Sequence, residues 1–471
     1  MGRCDYDLIV IGGGAAGLAA AKLARGFGKR VALVEKKRLG GECTLSGCVP
    51  SKTLVSAARL AASIRNAHQH GIVVESPAIN TDMVMSHVRS VVEDVYSGHT
   101  PEAIAALGID VLFGSAAFRD SRSIVLDGKA ITSDTFLIAT GSSAAVPDIS
   151  GIETVPFLTN ETVFALDRLP ASMIIIGGGP VGAEFGSAFR SLGLDIDLVH
   201  RHERILNKED AEMAEMLSAC MTEAGMRLHT GSAPLAVRRD ADGIALDIQK
   251  SGMTGTLRAA ALLVAAGRRP NISGLNLENA GVAFTRQGIT TDQLLRTTAP
   301  NIYACGDVAG PYRFSHMAEY QALAAVRNAF LPLPRKANYE HVAWCTFTDP
   351  ELARAGLTED EARRRYGDRI RVYRHRYAHT DRGRTDSAAI GMSKFICHQG
   401  RLVGAHILGD RAGDIIHEAQ VAKSLGIPFH RLYGVIHVYP TFTDLIKHPA
   451  KLCYIDRLRG NPFLKLLKKF L

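Results

Sequence analysis

Two stretches of this chain repeat one pattern of apolar and polar positions. Residues 6–11 form a β-branched, apolar run, residues 12–17 read Gly-Gly-Gly-Ala-Ala-Gly, and residues 18–27 have helical composition. A second apolar run, 30–34, ends at Glu35. The pattern predicts strand, tight turn, helix and strand. It recurs downstream: an apolar run at 172–176, Gly177-Gly178-Gly179-Pro180-Val181-Gly182, a helical stretch at 181–192 and another apolar run at 195–199. Gly12, Gly14 and Gly17 each map onto Gly177, Gly179 and Gly182 by the same displacement (177 − 12 = 165).

The glycines of such a turn have separate tasks: turning tightly, letting a pyrophosphate approach the backbone, and packing helix on strand. One match is a weak signal, but two in one register, each between a strand and a helix, predict two bound dinucleotides. The shared register also separates the sites. Glu35 offers a carboxylate to a free ribose diol, as the adenosine of FAD or NAD requires. The residue 165 positions later is His200, followed by Arg201 and His202, a basic cluster suited to a 2′-phosphate. The reading favours NADP(H) over NAD(H), with a solvated charged loop as the alternative.

A chain of 471 residues implies roughly three domains. Its formal charge of +8 comes from dispersed Lys and Arg with no basic-aromatic module, so nucleic acid is not expected as a partner. The longest apolar segment, at 8–21, is broken by glycines and too short for a membrane span, and it lacks a basic leader and cleavage site. A cytoplasmic location is the expectation. In that compartment eight cysteines do not suggest a structural disulfide framework, so a close pair should be catalytic or metal-binding.

Cys43 and Cys48 are that pair, with Gly47 between them and Pro50 opening a predicted helix that continues through 51–64. Cys48 is thereby placed near a helix N-terminus, which favours a thiolate. No further ligands lie nearby at metal-site spacing, so no metal is expected. Two buried structural cysteines are the plainer alternative.

The run Gly40-Gly41-Glu42-Cys43 to Cys48-Val49-Pro50-Ser51-Lys52 resembles the class I pyridine nucleotide-disulfide oxidoreductases, the family of lipoamide dehydrogenase, glutathione reductase and mercuric reductase. The resemblance extends over nearly the whole chain. It implies an α/β fold with two Rossmann-like domains, for FAD and NAD(P), and an α+β C-terminal dimerisation domain. The implied bounds are 1–149 for the first part of the FAD domain, 150–265 for the NAD(P) domain, 266–335 for the FAD return and 336–471 for the dimerisation domain. It further implies a flow of electrons from NAD(P)H through FAD to a Cys43–Cys48 disulfide, and a homodimer whose active site is shared across the interface. By the same resemblance Cys48 is the thiol nearest the flavin, Cys43 the interchange thiol, Lys52 the lysine near flavin N5 and Glu184 its acidic partner.

The resemblance also assigns residues to the cofactors. The first glycine turn with Ala16, Glu35, Lys36 and Gly41, the exit segment Thr140-Gly141-Ser142, and Arg268, Gly306, Asp307, His316, Met317 and Ala318 fall to FAD. The second glycine turn with Val181, Gly267 and the His200-Arg201-His202 cluster fall to the nicotinamide nucleotide.

The match breaks near the C-terminus. Lipoamide and glutathione reductases carry a histidine base before a Pro-Thr and an orienting glutamate after it. This chain has Tyr439 and Asp444 at those places, with His437 two residues earlier as a substitute base facing the same way if the segment is extended. A tyrosine is mostly protonated at neutral pH and a poor general base. Tyrosine at this place also resembles mercuric reductase, but Cys453 is the last cysteine and only Cys4 precedes the flavin motif, so that enzyme's terminal cysteine pair and metal-carrier domain are not expected.

The leading function is an FAD-dependent NAD(P)H:disulfide oxidoreductase whose final acceptor is unassigned, a small-molecule or protein disulfide being one class that fits. Reduction of Hg(II), another soft metal ion or a quinone at the same site is the alternative among enzymes. A flavin redox sensor without turnover is the alternative outside them. Residues 462–471 place apolar side chains on one helical face with three lysines opposite. Packing on the dimer is the favoured reading of that tail, and contact with a membrane surface the other.

Overall fold

The structure, a computed structural model, describes residues 3–75 and 78–460; the predicted amphipathic tail lies outside the described residues. The apolar runs at the N-terminus become parallel strands because each is covered on both faces, which a continuous apolar stretch suits. Val31–Glu35, Tyr6–Ile11 and Lys129–Ile138 are neighbours, flanked by Asp110–Phe113 and by Ile302–Ala304, all parallel. Leu8, Ile9, Val10 and Val31 to Val34 are almost wholly buried there. Ser123–Leu126 and Ala117–Asp120 extend the sheet as an antiparallel ribbon. The strand Ile302–Ala304 joins it only after the chain has passed through a second domain. Outgoing and returning segments pair antiparallel, Ser142–Ala144 against Arg268–Pro270.

The second domain repeats the plan. Its parallel strands run in the order Arg227–His229, Asp195–Val199, Ser172–Ile176 and Ala261–Val264, and a three-stranded antiparallel meander follows Arg227–His229 in the chain. The C-terminal domain is a five-stranded antiparallel sheet, ordered Ala343–Thr346, Glu351–Gly356, Arg401–Gly409, Met392–His398 and Ile370–Arg376. Helices Ala412–Ser424 and Asp444–Gly460 bury their apolar residues against it in one core with Phe395, Ala405 and Ile407. Among the described residues no helix is long and apolar enough to cross a membrane.

The two glycine turns are geometrically equivalent. Gly12 has φ +110° and Gly177 φ +122°, and a Cβ on either would strike a backbone carbonyl, that of Ala139 or Ala265. A Cβ on Gly17 or Gly182 would meet the carbonyl oxygen of Gly12 or Gly177. The helices Ala15–Gly26 and Pro180–Ser191 therefore sit as close to their strands as a polypeptide permits, and neither N-terminus has a side-chain cap.

This equivalence separates two variants. Backbone strain of this kind costs on the order of 1–3 kcal/mol, before any clash is counted. Gly12→Ala is expected to lose FAD on purification. Gly177→Ala should keep its flavin yet need roughly tenfold more nicotinamide nucleotide to reduce it. Flavin content and anaerobic reduction kinetics measure both; loss of flavin from Gly177→Ala would contradict the assignment of the turns.

Candidate active site

Cys43 lies in the short helix Gly41–Leu45, and Cys48 is the first residue of the long helix Cys48–Arg65. Gly47 caps that helix, and a Cβ on it would come 2.9 Å from the carbonyl oxygen of Glu42, so the segment between the cysteines folds back on itself. The reduced pair is electrically asymmetric. A hydrogen bond from Cys43 brings the Cys48 thiol down to about 6 against the opposing effect of burial, helped by Ser315 and by the Lys52 ammonium. The Ser315 hydroxyl is 3.2 Å from Cys48 Sγ. Cys43 is pushed well above the ordinary thiol range, first because it is the partner of Cys48 and then by burial. These effects favour a thiolate on Cys48 and a thiol on Cys43 in the reduced pair.

Lys52 stands one turn along from Cys48, on the same face of the helix. Its Nζ is 2.7 Å from Glu184 Oε2, and it lies over the Phe347 ring at 4.5 Å. Glu184 is on Pro180–Ser191, the helix that opens at the second glycine turn. Its other oxygen accepts the Phe347 N–H at 2.9 Å. One carboxylate thus joins the cysteine helix, the second nucleotide domain and the C-terminal domain.

The strand ends of the two nucleotide folds show the same equivalence with different chemistry. Glu35 accepts the Gly13 N–H at 2.8 Å, and His200 Nδ1 accepts the Gly178 N–H at 3.0 Å, at the position displaced by 165. Accepting that bond requires an unprotonated Nδ1. Burial, with His202 and Arg201 nearby, lowers the His200 pKa to about 4. His200 is therefore a neutral turn anchor and not one of the cluster's charges, which reside on Arg201 and, further along, Arg204. Its Nε2 is buried without a protein partner.

Between the two folds runs a polar network. Arg268 donates to both oxygens of Glu42, and to Ser142 Oγ at 2.7 Å. It lies 3.3 Å from Asp307, which accepts from Ser142 Oγ at 2.6 Å. Asn160 adds a bond to Glu42 at 2.6 Å. Thr140 Oγ1 donates to the Asn271 carbonyl at 2.7 Å, and the Asn271 amide returns a bond to the Thr140 carbonyl. Gly306 N–H is held by Gln321. His316 stacks on Phe314, while Met317 and Ala318 are buried in the helix Ser315–Phe330.

All of this surrounds one cavity of about 3120 Å³ that reaches both glycine turns and both cysteines. Every residue assigned above to a nucleotide lines it except Gly13, which lies against Leu39 and Glu35, and Gly17 and Gly182, which pack helix on strand. The residues fit FAD on the first side: an open helix N-terminus for pyrophosphate, Glu35 for a ribose, and Lys52 beside Cys48 where the isoalloxazine would end. When bound, FAD supplies a two-electron relay between a hydride donor and a dithiol.

The C-terminal candidates are placed differently from expectation. His437 and Tyr439 do not face the same way, because the segment is irregular and not an extended strand. The His437 side chain is 8% exposed, with one ring nitrogen 3.0 Å from the Val435 carbonyl and the other 2.9 Å from Glu418 Oε1. Both nitrogens meet oxygens, so neither presents a lone pair to substrate. Tyr439 is 68% exposed and donates to Asp381 Oδ2 at 2.6 Å. That bond raises its pKa, with Asp444 a weaker contributor. The acid that orients Tyr439 is thus Asp381, and Asp444 begins the helix Asp444–Gly460.

The chain belongs to the pyridine nucleotide-disulphide oxidoreductase family: the family model matches residues 6–328 and the model of its dimerisation domain residues 342–450. It is a flavoprotein disulfide oxidoreductase, with FAD as the cofactor the family supports, and its dimerisation domain supports a homodimer. Relatives include a mercuric reductase of Staphylococcus aureus, 33% identical with 95% of this chain and 82% of the relative covered. A mercuric reductase of Streptomyces lividans is 33% identical, covering 95% and 96%. A dihydrolipoyl dehydrogenase of Bacillus subtilis is 31% identical, covering 95% and 98%. Among solved structures, the HOCl-induced flavoprotein disulfide reductase RclA from Escherichia coli, as its Cu(II) complex, superimposes with a TM-score of 0.85 at 26% identity, covering 96% of this chain and all of that one.

Sequence reasoning missed Glu42, Asn160, Ser315 and Asp381. Glu42 was legible in principle, since a charged residue inside a tightly turned cysteine motif needs a partner. Asp381 gave no signal, sitting in an arginine-rich stretch far from Tyr439 in the chain.

In the reduced holoenzyme a thiolate beside oxidised flavin absorbs at long wavelength. That band should appear as pH rises through about 6, since the Cys48 pKa is lowered and the thiolate is the form present above it. Cys48→Ser should abolish the band, Cys43→Ser should keep it, and Lys52→Met should move its midpoint to higher pH. A band that survives Cys48→Ser would reverse the two roles.

Proposed function

We propose that this chain is an NADPH-dependent flavoenzyme whose Cys43–Cys48 dithiol passes its electrons to a thiophilic metal cation of the Hg(II) or Cu(II) kind. The observation that carries this reading is the Tyr439–Asp381 hydrogen bond at the family's base position, since pairing with Cys48 and burial favour the protonated form of Cys43. Reducing a disulfide requires a base to take that proton and return it to the leaving thiol. The family's position for such a base holds Tyr439, whose hydroxyl is committed to Asp381 and whose pKa is raised. His437, the nearest alternative in the chain, has both nitrogens occupied. A soft cation needs no base, because binding a thiol to the metal expels the proton directly.

The rest of the site agrees with this chemistry. Among the described residues no group of three or more His, Cys, Asp or Glu side chains converges to hold a metal ion, so a cation would be captured by the two sulfurs themselves. Two electrons would enter as hydride from the nicotinamide and leave through the dithiol, which closes to a disulfide as one Hg(II) takes the pair or two Cu(II) take one electron each. Mercuric reductases among the relatives and a Cu(II) complex of a solved neighbour support the reading. Tyr439 lies in an exposed apolar strip with Ile436 and Val438 on the dimerisation domain, which supports an active site completed by a second copy.

For the nucleotide, the neutral His200 removes the carboxylate that would repel a 2′-phosphate, and Arg201 supplies charge at the cavity wall. Arg201→Ala should lower kcat/KM for NADPH roughly ten- to a hundredfold while barely affecting NADH. Equal losses with both would make the cluster ordinary surface charge.

The acceptor is tested by steady-state NADPH oxidation with Hg(II), Cu(II), a quinone, lipoamide and glutathione disulfide. A missing general base is worth about 10²–10⁴-fold, so the metals should exceed the disulfides by at least about a hundredfold. Tyr439→His, with Asp444→Glu to reach it, should raise disulfide turnover. Fast lipoamide or glutathione disulfide reduction by the unaltered protein would overturn the proposal, as would a preference for quinone. No turnover with any acceptor would favour a sensor.

A further inference from the structure

Buried charge outside the site is concentrated where the second nucleotide domain meets the C-terminal sheet. Lys394, on the strand Met392–His398, has a side chain only 3% exposed. Its Nζ is 2.8 Å from Asp210 Oδ1 and 2.9 Å from both Glu212 Oε2 and Glu359 Oε2. Arg374, on the adjacent strand, spans Glu212 and Glu359, each at 2.9 Å. Lys394 and Asp210, both almost fully buried, hold their geometry closely, because each loses its compensation if the other moves.

Asp210 has diverted its own local bond to this cluster. It is the N-cap of the helix Ala211–Glu223, where an aspartate ordinarily accepts from its own helix. Here no side-chain cap bond forms. The carboxylate goes instead to Lys394 and to the Glu359 N–H, across the domain boundary. The two residues before it are held from the same side. Glu209 accepts the Trp344 indole N–H at 2.8 Å, and Arg354 donates to the Lys208 carbonyl at 2.5 Å. The C-terminal domain therefore grips three consecutive residues of the nucleotide domain.

The other end of the same segment is the basic cluster. Residues 200–210 leave the strand end at His200 and present Arg201, His202 and Arg204 to the cavity. They touch the glycine turn through Leu206 N–H to the Gly178 carbonyl at 2.7 Å and enter the clamp at Lys208. The segment is a strap, with a phosphate-facing end and a clamped end.

We propose that Lys394 is a positioning residue for the nicotinamide nucleotide: by pinning Asp210 across the domain boundary it fixes the strap that sets Arg201 against the 2′-phosphate. The proposal rests on the reading that this cluster receives that phosphate. Lys394 touches neither nucleotide nor dithiol. Its effect is on where the guanidinium stands, and a misplacement on the order of 1 Å is costly for a charged contact.

Stopped-flow reduction of the flavin in the holoenzyme tests it, with NADPH and NADH as donors to Lys394→Met, Lys394→Arg and Arg201→Ala. Lys394→Met should raise the half-saturating NADPH concentration about tenfold, leave the limiting rate within about twofold, and change NADH far less. Lys394→Arg should recover most of the loss. If Lys394→Met does not fold, Asp210→Asn removes the same ion pair without changing shape and should give the same split. Unchanged NADPH saturation in Lys394→Met or Asp210→Asn, with Arg201→Ala impaired, would overturn this inference alone. An unimpaired Arg201→Ala would overturn the phosphate reading and this inference with it. Equal weakening of NADPH and NADH by Lys394→Met would show general loosening, which also overturns it.

Discussion

The rest of the site depends on the carboxylate of Glu184. Its two oxygens serve two neighbours, the Lys52 ammonium and the Phe347 N–H, and these come from different domains. With the Glu184 side chain largely shielded from solvent, the ion pair is screened less than a surface one would be. A shared carboxylate fixes direction as well as distance. It holds the face of the cysteine helix that carries Cys48 and Lys52 against the helix that opens at the second glycine turn. On the proposed reading, this would bring hydride donor and dithiol to opposite ends of one short path.

Duplicated architecture is then tuned by single side chains. The two glycine turns share backbone geometry down to the carbonyl each crowds, yet one strand ends in a carboxylate and the other in a neutral imidazole making the same bond to the turn. On the proposed reading, a ribose diol and a 2′-phosphate would be distinguished without altering the fold. The cysteines are tuned similarly: one thiol acts as the other's hydrogen-bond donor, so a pair of identical groups becomes unequal, the Cys48 thiol lowered with help from Lys52 and the Cys43 thiol raised.

Much of this was legible in the sequence because it is local. The strands, turns and helices of both nucleotide folds follow from periodicity, and the pairing of Glu35 with His200 from counting residues. Lys52 and Glu184 were found only through resemblance, since nothing within either helix points to the other. The charge on His200 was misjudged because a side chain's protonation depends on which backbone N–H it meets. Asp381 and Lys394 were invisible, as their partners lie far away in the chain and are brought near by packing alone. The facing of His437 and Tyr439 failed for a related reason: alternation along a chain applies to strands, and this segment is irregular.

On this mechanism the Cys43–Cys48 pair is an electron store in series with the flavin. Anaerobic reductive titration of the holoenzyme tests it most directly. Because a disulfide couple holds two electrons, the unaltered protein should take up about two more electrons per flavin than the Cys43→Ser/Cys48→Ser double variant. Equal uptake by the two proteins would mean that the cysteines lie outside the path, and would contradict the account.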